Sequence, residues 1–474
     1  MILPEYITQC LSALESAGFA AYAVGGCVRD ACLGLTPHDY DLCTAALPEQ
    51  TETVFADHKL VLAGKKHGTV GVVTPCGVVE ITTFRREGEY LDNRHPEWVE
   101  FVPDIKEDLA RRDFTVNAMA YSPIRGFADP FGGREDLKQG ILRAVGDPVQ
   151  RFREDSLRIL RGIRFAVRYD LRVEEATMEA MVSQAHLMDN LARERVFEEL
   201  NKLLPLVDAG DLLTFGPLLA AVIPELKPLI GFDQRSPHHA YDLYTHVAHV
   251  VAGVPREPVL RWAALLHDIG KIPTFTRDET GRGHFYGHAP KGAEMADAVL
   301  RRLKAPTALR EQAAGLIEKH MTYLVPEKKT LRRQVGRLGW ETVDQLLALQ
   351  EADMGSKGTG KPEEREIFSQ IRSVLDEIQA ENACLTLKDL AVNGHDLMQL
   401  GFTGKAIGET LNALLEQVMD EKLPNEKEAL LQFAAENSRA GLWPRRPACL
   451  LIPQLWRSDN HTNCSEYCHA IIVT

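Results

Sequence analysis

No stretch of this chain reaches eighteen apolar residues, so no membrane-spanning helix is expected. An apolar N-terminal core of the secretory kind is missing as well, since Glu5 comes early, and no signal peptide is expected. Cysteine is present but unorganised. The nine are an odd number scattered without ladder spacing. That suits reduced thiols and a cytoplasmic protein rather than a disulfide framework. Basic charge is not in excess either. The net charge of −13 argues against non-specific nucleic-acid binding over the whole surface. Any such contact must come from a local basic strip and be sensitive to salt. Residues 151–168 offer one, with Arg151, Arg153, Arg158, Arg161, Arg164 and Arg168 against only Glu154 and Asp155.

What is there is an ordinary globular composition, 45% hydrophobic and 26% charged, in 474 residues. That length is too great for one compact core, and three or four domains are expected. Residues 1–147 mix short β-rich runs, such as Val70–Val73 and Val78–Thr83, with helical stretches, and read as an α/β head. From Pro148 the pattern turns helical, with Leu157, Leu160, Ile163 and Phe165 on one apolar face. Residues 148–235 read as a helical neck, and 236–360 as a helical, histidine-rich body. Residues 361–436 read as a tail of amphipathic helices with an Asn393-Gly394 turn. From 437 to 474 the sequence is rich in Pro, Trp and Cys without periodicity, and a disordered extension is expected. His461, Cys464, Cys468 and His469 imitate a zinc cluster there, but at no recognisable ligand spacing.

The most informative segment runs from Tyr22 to Leu42. An apolar run into Gly25-Gly26 predicts a strand that turns tightly and opens a helix, bringing bare N–H groups near a phosphate. Thirteen residues past the glycines come Asp39 and Asp41. Alternating about Tyr40, they share one side if the segment is a strand. Two such carboxylates can hold Mg²⁺ beside a polyphosphate. These are parts for transferring a nucleotidyl group. Glu80, flanked by apolar residues in Val78–Thr82, reads either as a third carboxylate on a neighbouring strand or as an acid at a sheet edge.

Further on, Arg111-Arg112 can neutralise a triphosphate, or be a surface basic pair. Asn117 reads as a simple cap, and Asp129 as a turn residue that ends the head. In Glu154–Arg164, Asp155, Arg158 and Arg161 lie three apart and share a face if helical. An ionised Asp only accepts hydrogen bonds and Arg only donates them. Side by side they match the amine and ring acceptor of cytosine or adenine, whereas uracil and guanine meet the wrong partners.

Taken in order, Gly25 to Arg164 resemble the bacterial class II CCA-adding tRNA nucleotidyltransferases, and the likeness extends over about residues 20–435. That family adds C, C and A to the tRNA 3′ end from CTP and ATP without a nucleic-acid template. The resemblance implies that Gly26 and Arg29 contact phosphates or ribose and that Asp39 and Asp41 bind the catalytic Mg²⁺. It implies that Arg112 binds the nucleotide, with Arg111 a helper, that Asp155 and Arg158 read the base, and that Arg161 and Arg164 support the base or the triphosphate. Leu385–Leu390 and Leu423–Glu426 resemble the family's tRNA-holding tail. Residues 83–98 resemble the loop kept by CCA- and A-adding members, and His67–Val70 the CCA type rather than the poly(A) polymerase type.

A second constellation follows. His246, the adjacent His267-Asp268, and Asp353 resemble the ligand set of HD phosphohydrolases and imply a second divalent metal, with His288 and His320 near it for another ion or a phosphate. The main alternative to CCA addition is therefore an HD phosphohydrolase or phosphodiesterase with a tRNA-binding head. An A-adding or poly(A) polymerase relative, and an RNA-binding protein with decayed sites, are the others. Nothing in the sequence sets the oligomeric state.

Overall fold

The structure is a computed structural model that describes residues 1–88, 98–236, 240–358 and 362–439. Positions 89–97 of the loop segment, and His461, Cys464, Cys468 and His469 with the rest of 440–474, lie outside the described residues.

The chain folds into two compact units. One comprises Met1–Pro326 with Leu338–Val374, the other Glu327–Arg337 with Leu375–Thr474. The first unit opens with the helix Glu5–Ser16, which buries Ile7, Cys10, Leu11 and Leu14 at i, i+3, i+4 and i+7. That stripe lies in the same core as a mixed sheet. Its strands are β1 (Ala21–Val24), β2 (Asp41–Thr44), β3 (Leu60–Val61), β4 (Thr69–Thr74) and β5 (Gly77–Thr83). A small hairpin, β6 (Arg85–Glu87) with β7 (Val99–Phe101), stands apart, and β8 (Ala120–Ser122) and β9 (Gly126–Ala128) complete the main sheet. The order across the seven strands is β3-β4-β5-β2-β1-β8-β9. β1 and β2 are antiparallel, with Val24 opposite Asp41, whereas β2 runs parallel to β5, with Leu42 opposite Ile81. Glu80 thus sits beside Asp41 on an interior strand, not at a sheet edge.

Helices take over at Pro148–Glu154 and Leu157–Tyr169, as the periodicity predicts. The second of these buries Leu157, Ile159, Leu160 and Ile163, and with them Arg158 and Arg164. One apolar core continues from the sheet through these helices to Trp262 and Leu266. The expected basic strip at 151–168 is therefore mostly consumed internally. Packing draws its arginines inward against acids, and only Arg153 and Arg168 are exposed.

The second unit has its own core of Val392, Leu397, Phe402, Leu414 and Leu430. Asn393 is a helix cap rather than a free turn: its side chain accepts from the N–H groups of His395 and Asp396 at the start of Gly394–Gln399. Arg332, buried on the helix Lys328–Leu338, pairs with Glu381 at 2.7 Å and Glu421 at 2.6 Å. No described helix is long and apolar enough to cross a membrane.

Candidate active site

The glycine pair does what its sequence predicts. β1 ends at Val24, Gly25 takes φ of 77°, and Gly26 opens the helix Gly26–Cys32. Positive φ favours glycine, and a Cβ on Gly25 would lie 2.9 Å from Arg112 Nη1. Arg29 is not free to roam. It donates to Asp30, Asn117 and the Tyr169 hydroxyl, and its guanidinium lies 4.2 Å from the Tyr169 ring centroid. Asn117, read as a cap from sequence, is instead a bridge: its amide donates to Asp113 Oδ1 at 3.0 Å while its oxygen accepts from Arg29.

The strand picture of the paired acids needs correction at Asp39. β2 begins at Asp41, opposite Val24, the last residue of β1. Asp39 lies in the preceding loop, so the two acids do not share a strand face. They are still close enough to interact. The Asp41 carboxyl is raised above its usual range by burial, with Glu80 and Asp39 adding to the rise and Arg112 opposing it. Like charges facing one another on hard oxygen ligands suit a divalent cation. These acids fit Mg²⁺ on that ground.

Arg111 and Arg112 are aimed by a residue that sequence reasoning missed. The fully buried Asp108 accepts from Arg111 Nη2 at 2.9 Å and from Arg112 Nη2 at 3.5 Å. Both arginines line a cleft of about 440 Å³, whose walls also carry Gly25, Gly26, Arg29, Asp41 and Asp113. The neck supplies the other side with Asp155, Arg158, Arg161, Arg164 and Arg195.

Within that cleft the predicted base-reading group is arranged differently from a single helical face. Asp155 stands between two helices, not on one, with φ of −141°. Its Oδ1 accepts from Leu157 N–H at 3.1 Å, an Asx turn that breaks the helix there. Arg158 does not pair with Asp155. It donates to Glu154 at 2.7 Å and to the carbonyls of Arg151 and Arg111, both at 3.0 Å. Arg161 makes two bonds to Asp113 Oδ2, at 3.0 and 2.8 Å, and Arg164 is buried against Glu199 at 2.6 Å. Asp155 is instead held by Arg195, 2.9 Å away. Arg195 and Glu199 were not read from the sequence. Their i,i+4 spacing on Arg193–Leu203, among Val196, Phe197, Leu200 and Leu203, is the signal that marks charges facing inward.

Asp113 yields a pH test. Burial raises its carboxyl, but Arg161 and Asn117 outweigh that and bring it down to about 2, from an ordinary 3.8. A depressed folded pKa gives stability that is complete above the unfolded value and vanishes as pH falls through the folded one. The contribution is on the order of 2 kcal/mol. Asp113→Asn is expected to flatten the loss of stability between pH 4 and pH 2, read from urea midpoints at each pH. An acid limb as steep as wild type would contradict the assignment.

A second cluster lies in the helical body, where His246, His267, Asp268 and Asp353 come together. His246 Nε2 is 3.0 Å from Asp353 Oδ1 and 3.5 Å from Asp268 Oδ2, and His267 Nε2 is 3.1 Å from Asp268 Oδ2. His288 Nε2 is 3.6 Å from Asp268 Oδ1 and 3.2 Å from His320 Nε2. Each of the four rings turns Nδ1 to a backbone carbonyl: Ser356, Ala264, Phe285 and Ile317. A carbonyl only accepts, so each Nδ1 carries a proton and each Nε2 faces the centre; on His288 and His320, whose burial favours the neutral ring, it keeps a lone pair there. Two such lone pairs facing each other at 3.2 Å, beside buried carboxylates, suit a cation. Burial raises Asp268, but His267 and Lys271 outweigh it and hold the carboxyl well below its usual range. Burial and the neighbouring His267 push His320 down to about 4. Lys271 Nζ stands 2.7 Å from Asp268 and 2.9 Å from Gln234 Oε1. Among the described residues, ligand atoms crowd within 4.8 Å of one another in two groups, His246-His267-Asp268 and Asp268-His288-His320.

Comparison with known proteins places the head. Residues 21–143 match the poly A polymerase head domain, 170–229 the probable RNA- and SrmB-binding site of polymerase A, and 290–434 the tRNA nucleotidyltransferase domain 2. The class is thus a nucleotidyltransferase with an α/β head and a helical body. Its relatives are more specific. The CCA-adding enzyme of Bacillus velezensis is 32% identical over 424 residues, covering 89% of this chain and 95% of the relative. That of Levilactobacillus brevis is 35% identical over 436 residues, covering 90% and 96%. The crystal structure of the Bacillus stearothermophilus CCA-adding enzyme in complex with CTP superposes with a TM-score of 0.66 at 28% identity, covering 93% of this chain and 99% of that one. The Thermotoga maritima CCA-adding enzyme complexed with tRNA shares the fold, with a TM-score of 0.58 at 23% identity. The chain belongs to the bacterial CCA-adding enzymes, and is a CCA tRNA nucleotidyltransferase.

Proposed function

We propose that this enzyme adds C, C and A in turn to the 3′ end of tRNA from CTP and ATP, releasing pyrophosphate, with protein side chains choosing the nucleotide. The observation that carries this reading is the single cleft shared by Asp41 and Asp155, one on the head and one on the neck. Asp39 and Asp41, with Glu80 beside them, would hold Mg²⁺. When bound, that ion supplies positive charge to the α-phosphate and lowers the pKa of the attacking 3′-hydroxyl. Gly26 would let the phosphates approach the backbone, with Arg29, Arg111 and Arg112 neutralising them. Asp155 and Arg158 would read the base edge, and Arg161 and Arg164 would brace it. Holding both substrates in line accounts for much of the rate. In this reading residues 1–147 are the head, 148–235 the base-reading neck, 236–360 an HD domain and 361–436 a tRNA-holding tail, and the enzyme works in the cytoplasm.

The histidine cluster favours a second, additional activity: HD-type hydrolysis of phosphate esters. His246, His267, Asp268 and Asp353 would hold a divalent ion, which supplies Lewis acidity and an activated water when bound. Lys271 would steady Asp268.

One experiment addresses both. The protein is incubated with tRNA lacking its CCA end, CTP, ATP and Mg²⁺, and the product is sequenced. Growth by C, C and A is expected; a run of A from ATP alone, or a single A, would replace this reading with that of a poly(A) polymerase or A-adding relative. The His267→Ala variant is expected to add CCA at the wild-type rate while losing divalent metal bound by the wild type, measured by elemental analysis. A metal content equal in both would remove the HD proposal.

A further inference from the structure

We infer that Tyr6, on the first helix, is a positioning residue for the acid Asp39, acting through Tyr40. This rests on the reading of Asp39 as a ligand of Mg²⁺.

Two carboxylates that share an ion bind it best when their separation is fixed beforehand, because ordering them on binding weakens the site. Asp41 is fixed by β2, whose pairing with β1 includes that residue. Asp39 has no such support. It lies on the exposed run that follows the helix Gly26–Cys32, and residues 36–40 make no hydrogen bond among the described residues.

What ties this run down is Tyr40, which packs against the main core of the first unit. Its ring meets that of Tyr6 edge-on, with centroids 6.4 Å apart and planes at 85°. Aromatic rings favour this arrangement, in which the positive edge of one meets the negative face of the other. Tyr6 is a firm partner, since its helix, Glu5–Ser16, is fastened to the core by Ile7, Cys10, Leu11 and Leu14. Asp39 is also within electrostatic reach of Tyr6. Burial raises the Tyr6 phenol, and the Cys76 thiol and Asp39 add to the rise. Tyr40 is the sole residue between the two acids. Tethering its ring therefore limits how far Asp39 can swing from Asp41. Without the Tyr6 ring, Tyr40 can change rotamer and take the Asp39 backbone with it.

The test follows Mn²⁺ by electron paramagnetic resonance as it is titrated into the full chain. The site that disappears in Asp39→Ala is the one in the head. Tyr6→Ala is expected to weaken that site by roughly threefold to tenfold, the worth of one aromatic pair. The Mg²⁺ concentration for half-maximal tRNA extension should rise by the same factor, while KM for CTP stays as in wild type. Tyr6→Phe keeps the ring and is expected to bind Mn²⁺ as wild type does. If Tyr6→Ala does not fold, Tyr6→Leu carries the test: it fills the space without an aromatic edge, and a smaller loss is expected. A head site as tight as wild type in every folded variant lacking the ring overturns the inference. So does a KM for CTP that rises as much as the Mg²⁺ requirement, which a general loosening of the head would give. If Asp39→Ala removes no Mn²⁺ site, the reading of Asp39 as a ligand fails; if it removes one and the Tyr6 variants keep it intact, only the role of Tyr6 fails.

Discussion

An Asp41→Asn variant is expected to lose roughly three orders of magnitude, about 4 kcal/mol, in the rate of nucleotide addition. The substitution keeps the size of the side chain and removes one charged oxygen ligand. Asp41 stands at the first position of β2 on the wall of the cleft, outside the apolar core, so the change should not disturb the core. It also removes the like-charge crowding with Glu80 and Asp39, which slightly favours the folded protein. Activity and stability should therefore move in opposite directions. Single-turnover extension of tRNA gives the first, and a thermal melt gives the second. A rate within tenfold of wild type would show that Asp41 is not a principal ligand.

Glu199→Ala is expected to be the most damaging single change to the fold, at about 3–5 kcal/mol. Glu199 and Arg164 are nearly sealed from solvent, with side-chain exposures of 8% and 10% and a separation of 2.6 Å. Taking the acid away leaves a buried guanidinium without its counter-charge. Its stacking on Phe165, 4.5 Å from the ring centroid, does not replace that charge. The melting temperature should fall by several degrees. Replacing both members together, Arg164→Met with Glu199→Leu, should recover most of the loss, because two apolar groups of similar volume need no desolvation. A single variant that melts within a degree of wild type would mean the pair is better hydrated than its burial indicates.

These two residues also show what a sequence does and does not disclose. The Gly25-Gly26 turn was legible because strand, turn and helix are local events set by a few neighbouring residues. The body cluster was legible for another reason: His267-Asp268 and its partners are rare residue types on apolar helices, and their order survives without knowing the packing. The alternation of Asp39 with Asp41 does not disclose where β2 begins, because that boundary is set by pairing with β1, whose last residue lies fifteen positions before Asp39 in the chain. Three-residue spacing puts Asp155 and Arg158 on one face only of a continuous helix. Whether Asp155 continues a helix or breaks it turns on a side-chain bond to Leu157 that periodicity does not register. Asp108, Arg195 and Glu199 went unseen for a shared reason. Each acts across a tertiary contact, and an acid or arginine in a helix ordinarily faces water.

The neck arginines have one more consequence. Arg151 and Arg158 donate to the carbonyls of Ala110 and Arg111, and Phe114 packs its ring against Phe152 and Phe165, all across the boundary near residue 147. Cutting the chain there would not release a self-sufficient transferase. It would uncover aromatic surface and strip two main-chain oxygens of their donors just where Arg111 and Arg112 must be aimed. Chimaeras that trade this head for a relative's would need to carry the stretch through Tyr169 with it, since one continuous core and these bonds hold the two together.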